Sequence, residues 1–449
     1  THGPLLGRPG PDTMSLWVRT EKPGEVKVFY GTEKGHLDHQ ASLVTTDLAK
    51  DRTGIITLDK LNSNTRYYYR IADHQLDGSF RTLPKAADFR NPEGNPKGLF
   101  NFKFEFACGN NQNGNGNSAG PTVPVFDTLN AKVRDEVHFA ILNGDWLYEQ
   151  RRDYPPESWL HQVGLDSMEE APRVVRKAPS IVGVWENYKV FLERGKNLSE
   201  WHRHVPSFYT ADDHELLNDI YGAGEIGYVN RRAVFRDIGT QAWFDYLAWA
   251  NPLKHDQPAW FGTGAFEAKS DILEDPEADF TQLDFKQLAN LHVHWGTTTA
   301  GVPDSKLDAE PGNPNAAVYE IAEVLSPTRL RIKPAAKSSG EASYSIGRRC
   351  YGKFSVSNCD FFLLDTRTHR SLHNVDHPDN PEATMLGKQQ LNWLKRETEK
   401  SKAITINLAM RSVCQKKLSR ETRPIGLSYG HQALSGYQSP SNPVVYLTS

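Results

Sequence analysis

Cysteine and methionine are the scarcest residues of this chain, four of each among 449. Cys108, Cys350, Cys359 and Cys414 are too few for a disulfide framework. Cys350 and Cys359 could pair across a hairpin or stay as free buried thiols. No apolar run reaches the ~18 residues that a membrane-spanning helix needs, so no transmembrane segment is expected. Charge of one sign is lacking as well: 52 basic side chains meet 55 acidic ones, a net of −3. That balance excludes a broad basic field, and no nucleic-acid binding is expected. An anionic substrate would have to be drawn by local charge, metal ions included. The chain opens on Thr1, not Met, which fits a trimmed N-terminus whose export signal can be neither seen nor excluded.

What is present divides along the chain. Residues 1–84 read as an all-β module, because Ser15–Thr20 and Glu25–Tyr30 alternate apolar and polar side chains as half-buried strands do. Residues 85–101, rich in proline, glycine and charge, read as a linker. From residue 102 the pattern becomes strand, helix, strand. Phe102–Ala107 alternates and ends at Cys108, Val125, Phe126, Leu129 and Val133 recur at helical spacing, and Val137–Leu142 is a buried strand ending at Asn143-Gly-Asp. Such a βαβ unit has parallel strands, and ligand sites in parallel sheets lie beyond the carboxyl ends, where Cys108 and Asp145 stand. Val205–Thr210 followed by Asp212-Asp-His-Glu repeats the arrangement, and Asp360–Leu364 followed by Asp365 and Arg367 gives it a third time. The stretch 225–349 is aromatic-rich and loop-rich and reads as an elaboration over the site, with antiparallel strands around Ala317–Pro334. Leu386, Trp393 and Leu394 share a helix face, Ala403–Ala409 is a further strand candidate, and 403–449 reads as a divergent or truncated end.

Two segments carry chemistry. In Gly144-Asp-Trp-Leu-Tyr-Glu the glycine permits a tight turn, the Asp can set its two oxygens between cations, and Tyr148 can offer a phenolate to a strong Lewis acid. Gly-Asp turns are common, so for the hexapeptide alone a strand-end turn beside a core tyrosine is the better reading. In Asp212-Asp-His-Glu three acids surround one histidine after an apolar strand, an expensive arrangement without a positive partner. There Asp213 could ligate and His214 could protonate a leaving group. His292 and His294 alternate along a half-exposed strand, where the plain reading outweighs a zinc site. The loop Gly109–Asn117 could cradle phosphate, although flexibility is the simpler reading.

Ala107-Cys-Gly-Asn-Asn-Gln, Gly144-Asp-Trp-Leu-Tyr-Glu, Asp212-Asp-His-Glu, Leu364-Asp-Thr-Arg and Leu386-Gly-Lys-Gln-Gln-Leu-Asn-Trp-Leu occur in the order seen in the alkaline phosphatase D family, which this chain resembles from about residue 1 to 402. The Gly-Asp-x-x-Tyr segment is also similar to that of purple acid phosphatases. The stretch Asp59–Ile71 resembles the Leu-x-Pro-x-Thr-x-Tyr segment of fibronectin type III-like sandwiches, Ser63 replacing proline, with Tyr67 as the corner tyrosine that ties a loop to the backbone. The resemblance implies a metallophosphoesterase-like mixed-sheet sandwich with helices over 102–402, preceded by a fibronectin type III-like β-sandwich. It implies Fe³⁺ held by Cys108, Asp145 and Tyr148, Ca²⁺ served by Asp145 and Asp213, with Zn²⁺ less favoured, Asp365 as a further ligand, and His214 and Arg367 as catalytic residues. The expected activity is phosphomonoester or phosphodiester hydrolysis by a metal-held hydroxide. The substrate is a phosphate ester such as a cell-wall polymer or phospholipid, in a periplasmic or secreted location.

One departure keeps a rival open. The family's late Gly-Asp-x-His segment has no counterpart past Lys402, where the only histidine is His431. A catalytically impaired secreted binding protein that retains the fold is therefore the alternative to an alkaline phosphatase or phosphodiesterase, and a zinc hydrolase using His292 and His294 is a third reading.

Overall fold

The computed structural model describes residues 1–72, 76–98, 102–112, 120–218, 220, 224–229, 232–296, 312–371 and 380–401, with the strand backbones at 404–409, 434–439 and 442–448. The first eighty residues form β1 (His2–Gly7), β2 (Met14–Arg19), β3 (Gly24–Gly31), β4 (His39–Thr45), β5 (Thr53–Leu58), β6 (Arg66–Ile71) and β7 (Leu76–Arg81). They pair antiparallel in two sheets, β1-β2-β5 and β4-β3-β6-β7. The alternation read in the sequence is the reason: Leu16, Val18, Val26, Val28, Tyr67 and Tyr69 pack into one core. The Asn62 N–H donates to the Tyr67 hydroxyl at 2.9 Å, so this tyrosine does tie its loop to the backbone.

The module is welded to the helices and strands beyond residue 150. Trp17 donates to the Asp245 carbonyl at 2.7 Å, and the Tyr69 hydroxyl to that of Arg203 at 2.9 Å. Fully buried Asp51 accepts from Arg19, Trp159 and Tyr246 at 2.9, 3.1 and 2.6 Å.

Three strands lead to the segments singled out in the sequence: β8 (Phe104–Ala107), β9 (Phe139–Asn143) and β10 (Ser207–Thr210), parallel in the order β10-β9-β8, with helix Val125–Lys132 crossing between the first two. Their one face meets helices Ile181–Arg194 and Ala233–Tyr246 in the largest core, rich in tryptophan. The segment between β10 and Cys350 is less loop-like than its sequence suggests. Helix Ala233–Tyr246 is buried along its whole length. After it, β11 (Trp260–Phe266), β12 (Ile272–Glu274), β13 (Leu288–Val293), β14 (Ala317–Ser326), β15 (Arg329–Lys333) and β16 (Gly340–Arg348) close an antiparallel barrel with its own core.

The other face of β8–β10 meets a second, mixed sheet of β17 (Gly352–Val356), β18 (Cys359–Leu363), β19 (Ile404–Ala409), β20 (Leu434–Ser439) and β21 (Asn442–Thr448), in the order β17-β18-β19-β21-β20. The segment past residue 402 thus supplies three strands of this sheet. Phenylalanines fill the space between: Phe104 stacks on Phe139 at 5.3 Å and Phe354 on Phe361 at 4.7 Å, with Phe139 edge-on to Phe361 at 5.6 Å. The result is the mixed-sheet sandwich with helices that the sequence led us to expect. Cys350 and Cys359 are not paired; both are free thiols, Cys350 beside Thr240 and Arg236 and Cys359 in the phenylalanine core. Among the described residues no helix is long and apolar enough to cross a membrane.

Candidate active site

Cys108, Asp145 and Asp212 follow the carboxyl ends of three adjacent parallel strands, so one sheet edge collects them. The Asn143–Leu147 turn is the keystone. Gly144 adopts φ +80°, and a Cβ there would meet the Asp212 Cβ at 2.7 Å and its nitrogen at 3.0 Å, so only glycine lets β9 and β10 approach this closely. Asp145 itself sits at φ +54°, a left-handed conformation that surrounding contacts must hold. Glu215 holds it: its carboxylate accepts from the N–H groups of Asp145, Trp146 and Leu147 at 3.1, 2.6 and 3.3 Å, and from that of Asp212 at 2.8 Å. Burial and Asp145 push Glu215 up, to about 8, against the pull of the amides.

Asp145, Asp213 and His214 come together, with one potential ligand atom from each mutually within 4.8 Å. Burial first, then Asp212, raises the Asp145 carboxyl to about 7. One Asp145 oxygen accepts from the Tyr148 hydroxyl at 3.1 Å, while the other, Oδ1, is buried with no hydrogen-bond partner. Burial and the Asp145 charge keep the proton on Tyr148 far above the ordinary phenol range. The Tyr148 ring lies 4.0 Å from that of His214 between centroids. Desolvation works to lower His214, but the 2.7 Å bond from Nδ1 to Glu149 and the acids around it lift it to about 9. Arg367 pairs through Nε with Asp212 and through Nη2 with Asp213 at 3.4 Å.

Of the residues expected from the sequence, the fold gathers Asp145, Tyr148, Asp213, His214 and Arg367. Cys108 reaches the same edge, since the Gly109 and Asn110 amides donate to the carbonyls of Gly144 and Asp145 at 3.2 and 2.7 Å, but it stands outside the cluster of three. Asp365, expected as a further ligand, is engaged within its own loop. Its oxygens accept from the Arg367 and Thr368 amides at 3.0 and 2.9 Å and from the Thr368 hydroxyl, and Arg236 lies 3.6 Å away. It shapes the loop that carries Arg367. His292 and His294 are buried, not half-exposed: His292 bonds Asp237 at 2.6 Å, and His294 bonds Ser343 and Ser345 at 2.6 and 3.0 Å inside the barrel. They are held as structure, which removes the basis for a zinc site there. His431 and the loop past Gln112 lie outside the described residues.

Three contributors were given no role of their own by the sequence. Glu215 had a visible signal, because Asp212-x-x-Glu215 has capping-box spacing and forms one here. Glu149 had only its place after Tyr148. Asn187, whose side chain bonds Gln150 N, Arg151 N and Tyr148 O at 2.7, 3.2 and 2.9 Å, had none, because it comes from a distant helix.

Arg152 donates to the His214 carbonyl at 2.9 Å, so among the described residues five carboxylates (Asp145, Glu149, Asp212, Asp213, Glu215) face Arg367, His214 and Arg152, a shortage of positive charge that a multivalent cation would remedy. The unpartnered Asp145 oxygen and the oxygen-rich donor set fit such an ion.

Comparison with known proteins identifies the family and the fold. The family described as PhoD-like phosphatase matches residues 104–292 and 331–445. A solved structure titled "Structure of PhoD" aligns with a TM-score of 0.51 at 17% identity over 91% of this chain. The chain spans 61% of that structure's length. A purple acid phosphatase from yellow lupin (Lupinus luteus) seeds aligns with a TM-score of 0.33 at 13% identity, over 57% of this chain and 42% of its own. No curated protein matches.

Proposed function

The chain belongs to the PhoD-like phosphatase family, and on that premise we propose that it hydrolyses phosphate monoesters or diesters at the Asp145–Asp213–His214 cluster with the help of bound cations. The observation that carries this is the unpartnered Asp145 oxygen among clustered acids at the carboxyl edge of the parallel strands. Cys108, Asp145 and Tyr148 would hold Fe³⁺, and Asp145 with Asp213 would serve Ca²⁺. Zn²⁺ is the less favoured ion, because the donors are mainly oxygens. Bound there, such ions supply a water acidified from 15.7 toward roughly 7 and charge to offset the oxyanion.

The chain's own residues do the rest. Glu215 keeps Asp145 in its strained conformation through backbone amides. Glu149 fixes the His214 ring by Nδ1 and leaves Nε2 to protonate the departing alkoxide. Arg367, oriented by Asp212 and Asp213, is placed to meet an ester oxygen. Residues 1–84 we read as a fibronectin type III-like module, supported by the three-plus-four strand order and the Tyr67 bond. A periplasmic or secreted setting and a cell-wall polymer or phospholipid substrate complete the proposal.

The test is hydrolysis of nitrophenyl phosphate mono- and diesters, with metal analysis of the same protein. Activity should be abolished by chelation, restored by iron with calcium, and reduced in Asp145→Asn by more than the roughly 10–100-fold that an outer-shell partner is worth. Full activity in Asp145→Asn would overturn the site. An iron-poor protein that binds esters without cleaving them would favour the impaired binding protein, the reading to which the missing late Gly-Asp-x-His points.

A further inference from the structure

Where helix Gly387–Lys400 meets the mouth of the barrel lies a cavity of about 550 Å³ that shares no lining residue with the cluster above. Lys254, Lys286, Arg348, Arg349 and Arg396 line it, and no acid is among its lining residues. Acids behind the wall offset part of that charge: Asp284 lies 3.8 Å from Lys254, Glu397 lies 3.7 Å from Arg396, and Asp245 and Asp256 act on Arg348 from further off. The remaining three cations have no such ion pair among the described residues.

The site is built as well as charged. Arg348 is 3% exposed, lies 3.5 Å over the Phe244 ring and donates through Nη2 to the Lys254 carbonyl at 2.7 Å, yet its Nε has no hydrogen-bond partner. Gln287, 8% exposed, donates from Nε2 to Asp256 and Asp284 at 2.7 and 2.9 Å, which leaves its Oε1 a buried acceptor without a donor. Unpartnered polar atoms in a protein wall are costly unless something outside completes them. A concentration of cations this dense exceeds what one carboxylate would balance, whereas a phosphate carries about two charges and three acceptor oxygens. Guanidinium forks match those oxygens.

We propose that this cavity binds an organic phosphate on a hydroxylated carrier, its phosphate met by Lys286, Arg349 and Arg396 and its hydroxyl donating to Gln287 Oε1. The proposal does not depend on catalysis at Asp145. The experiment is calorimetric titration of the full chain with 2-hydroxyethylphosphonate, whose carbon–phosphorus bond an esterase cannot cut. A saturable binding event is expected. Lys286→Glu with Arg396→Glu, both at exposed positions outside the catalytic machinery, should weaken it at least about tenfold by reversing charge-assisted contacts. Asp145→Asn should leave it in place. Gln287→Leu should weaken binding of this probe but not of methylphosphonate, which has no hydroxyl. An isotherm unchanged by the charge reversal, or one abolished by Asp145→Asn, would overturn the site. Failure of the wild type to hydrolyse esters would sink the catalytic reading and leave this isotherm standing.

Discussion

Tyr148 and His214 lie ring against ring, yet their chemistry should separate under substitution. Tyr148 keeps its proton while its hydroxyl bonds Asp145, so ligation as a phenolate would need a strong Lewis acid such as Fe³⁺. Iron-loaded protein should then absorb visible light through charge transfer, and Tyr148→Phe should bleach it; a colourless, active, iron-loaded wild type would remove Tyr148 from the ligands. His214→Ala should keep most of the metal and lose roughly 10²–10⁴-fold in rate on alkyl esters, with a much smaller loss on nitrophenyl esters, whose leaving group hardly needs a proton. Equal losses on both would mean that His214 ligates or supports structure. At this scale the sequence was informative where residues adjoin in the chain. Asp145 with Tyr148 and Asp213 with His214 were legible because a strand end and a polar segment mark them. Asp365 was less legible, since a motif names a residue without telling which way its carboxylate turns.

Elements position these residues through two devices. The first is the Gly144 turn. Gly144→Ala should push β9 from β10 at Asp212 and disturb the amides that converge on Glu215, and the loss of activity should exceed any loss of fold, measured by circular dichroism beside hydrolysis. The second is helix Gly387–Lys400, where Gln390 bonds Asp365 N–H and carbonyl at 2.9 and 2.7 Å and so seats the Arg367 loop from behind. Gln390→Leu should raise KM more than it lowers kcat if Arg367 binds ester. A fall in kcat alone would point to another role for that loop. The parallel strands β8–β10 could be read in advance because apolar runs ended in polar motifs. Of the barrel, the antiparallel strands around Ala317–Pro334 could be, as β14 and β15, but its closure could not. Its strand Trp260–Phe266 contains two glycines, which weaken the pattern of a strand, and Gly262 is there because a Cβ would strike the Tyr344 ring at 2.7 Å.

Over the whole molecule, charge buried between modules matters more than surface pairs. Burial pushes the Asp51 carboxyl up, but Lys189 and Arg19 outweigh that and hold it below its ordinary range. A carboxylate depressed in this way stabilises the fold fully above its unfolded value near ~3.9, and that stability is lost as pH falls through the folded value. Acid unfolding of the wild type should therefore be shifted upward in pH by neighbours of Asp51 that weaken its pairing, such as Lys189→Met. Asp51→Ala should cost about 3–5 kcal/mol by leaving Arg19 buried without its partner, read from the denaturant midpoint.

The same aspartate decides how the chain comes apart. Trp159 and Tyr246, from helices beyond residue 150, reach back to a carboxylate that belongs to the first fifty-odd residues. A detachable spacer would melt by itself and survive protease cleavage of the 85–101 segment as a free fragment. Here a nick in that segment should leave two pieces that co-elute until both unfold, and heating should give a single transition in which the N-terminal strands and the helical layer are lost together.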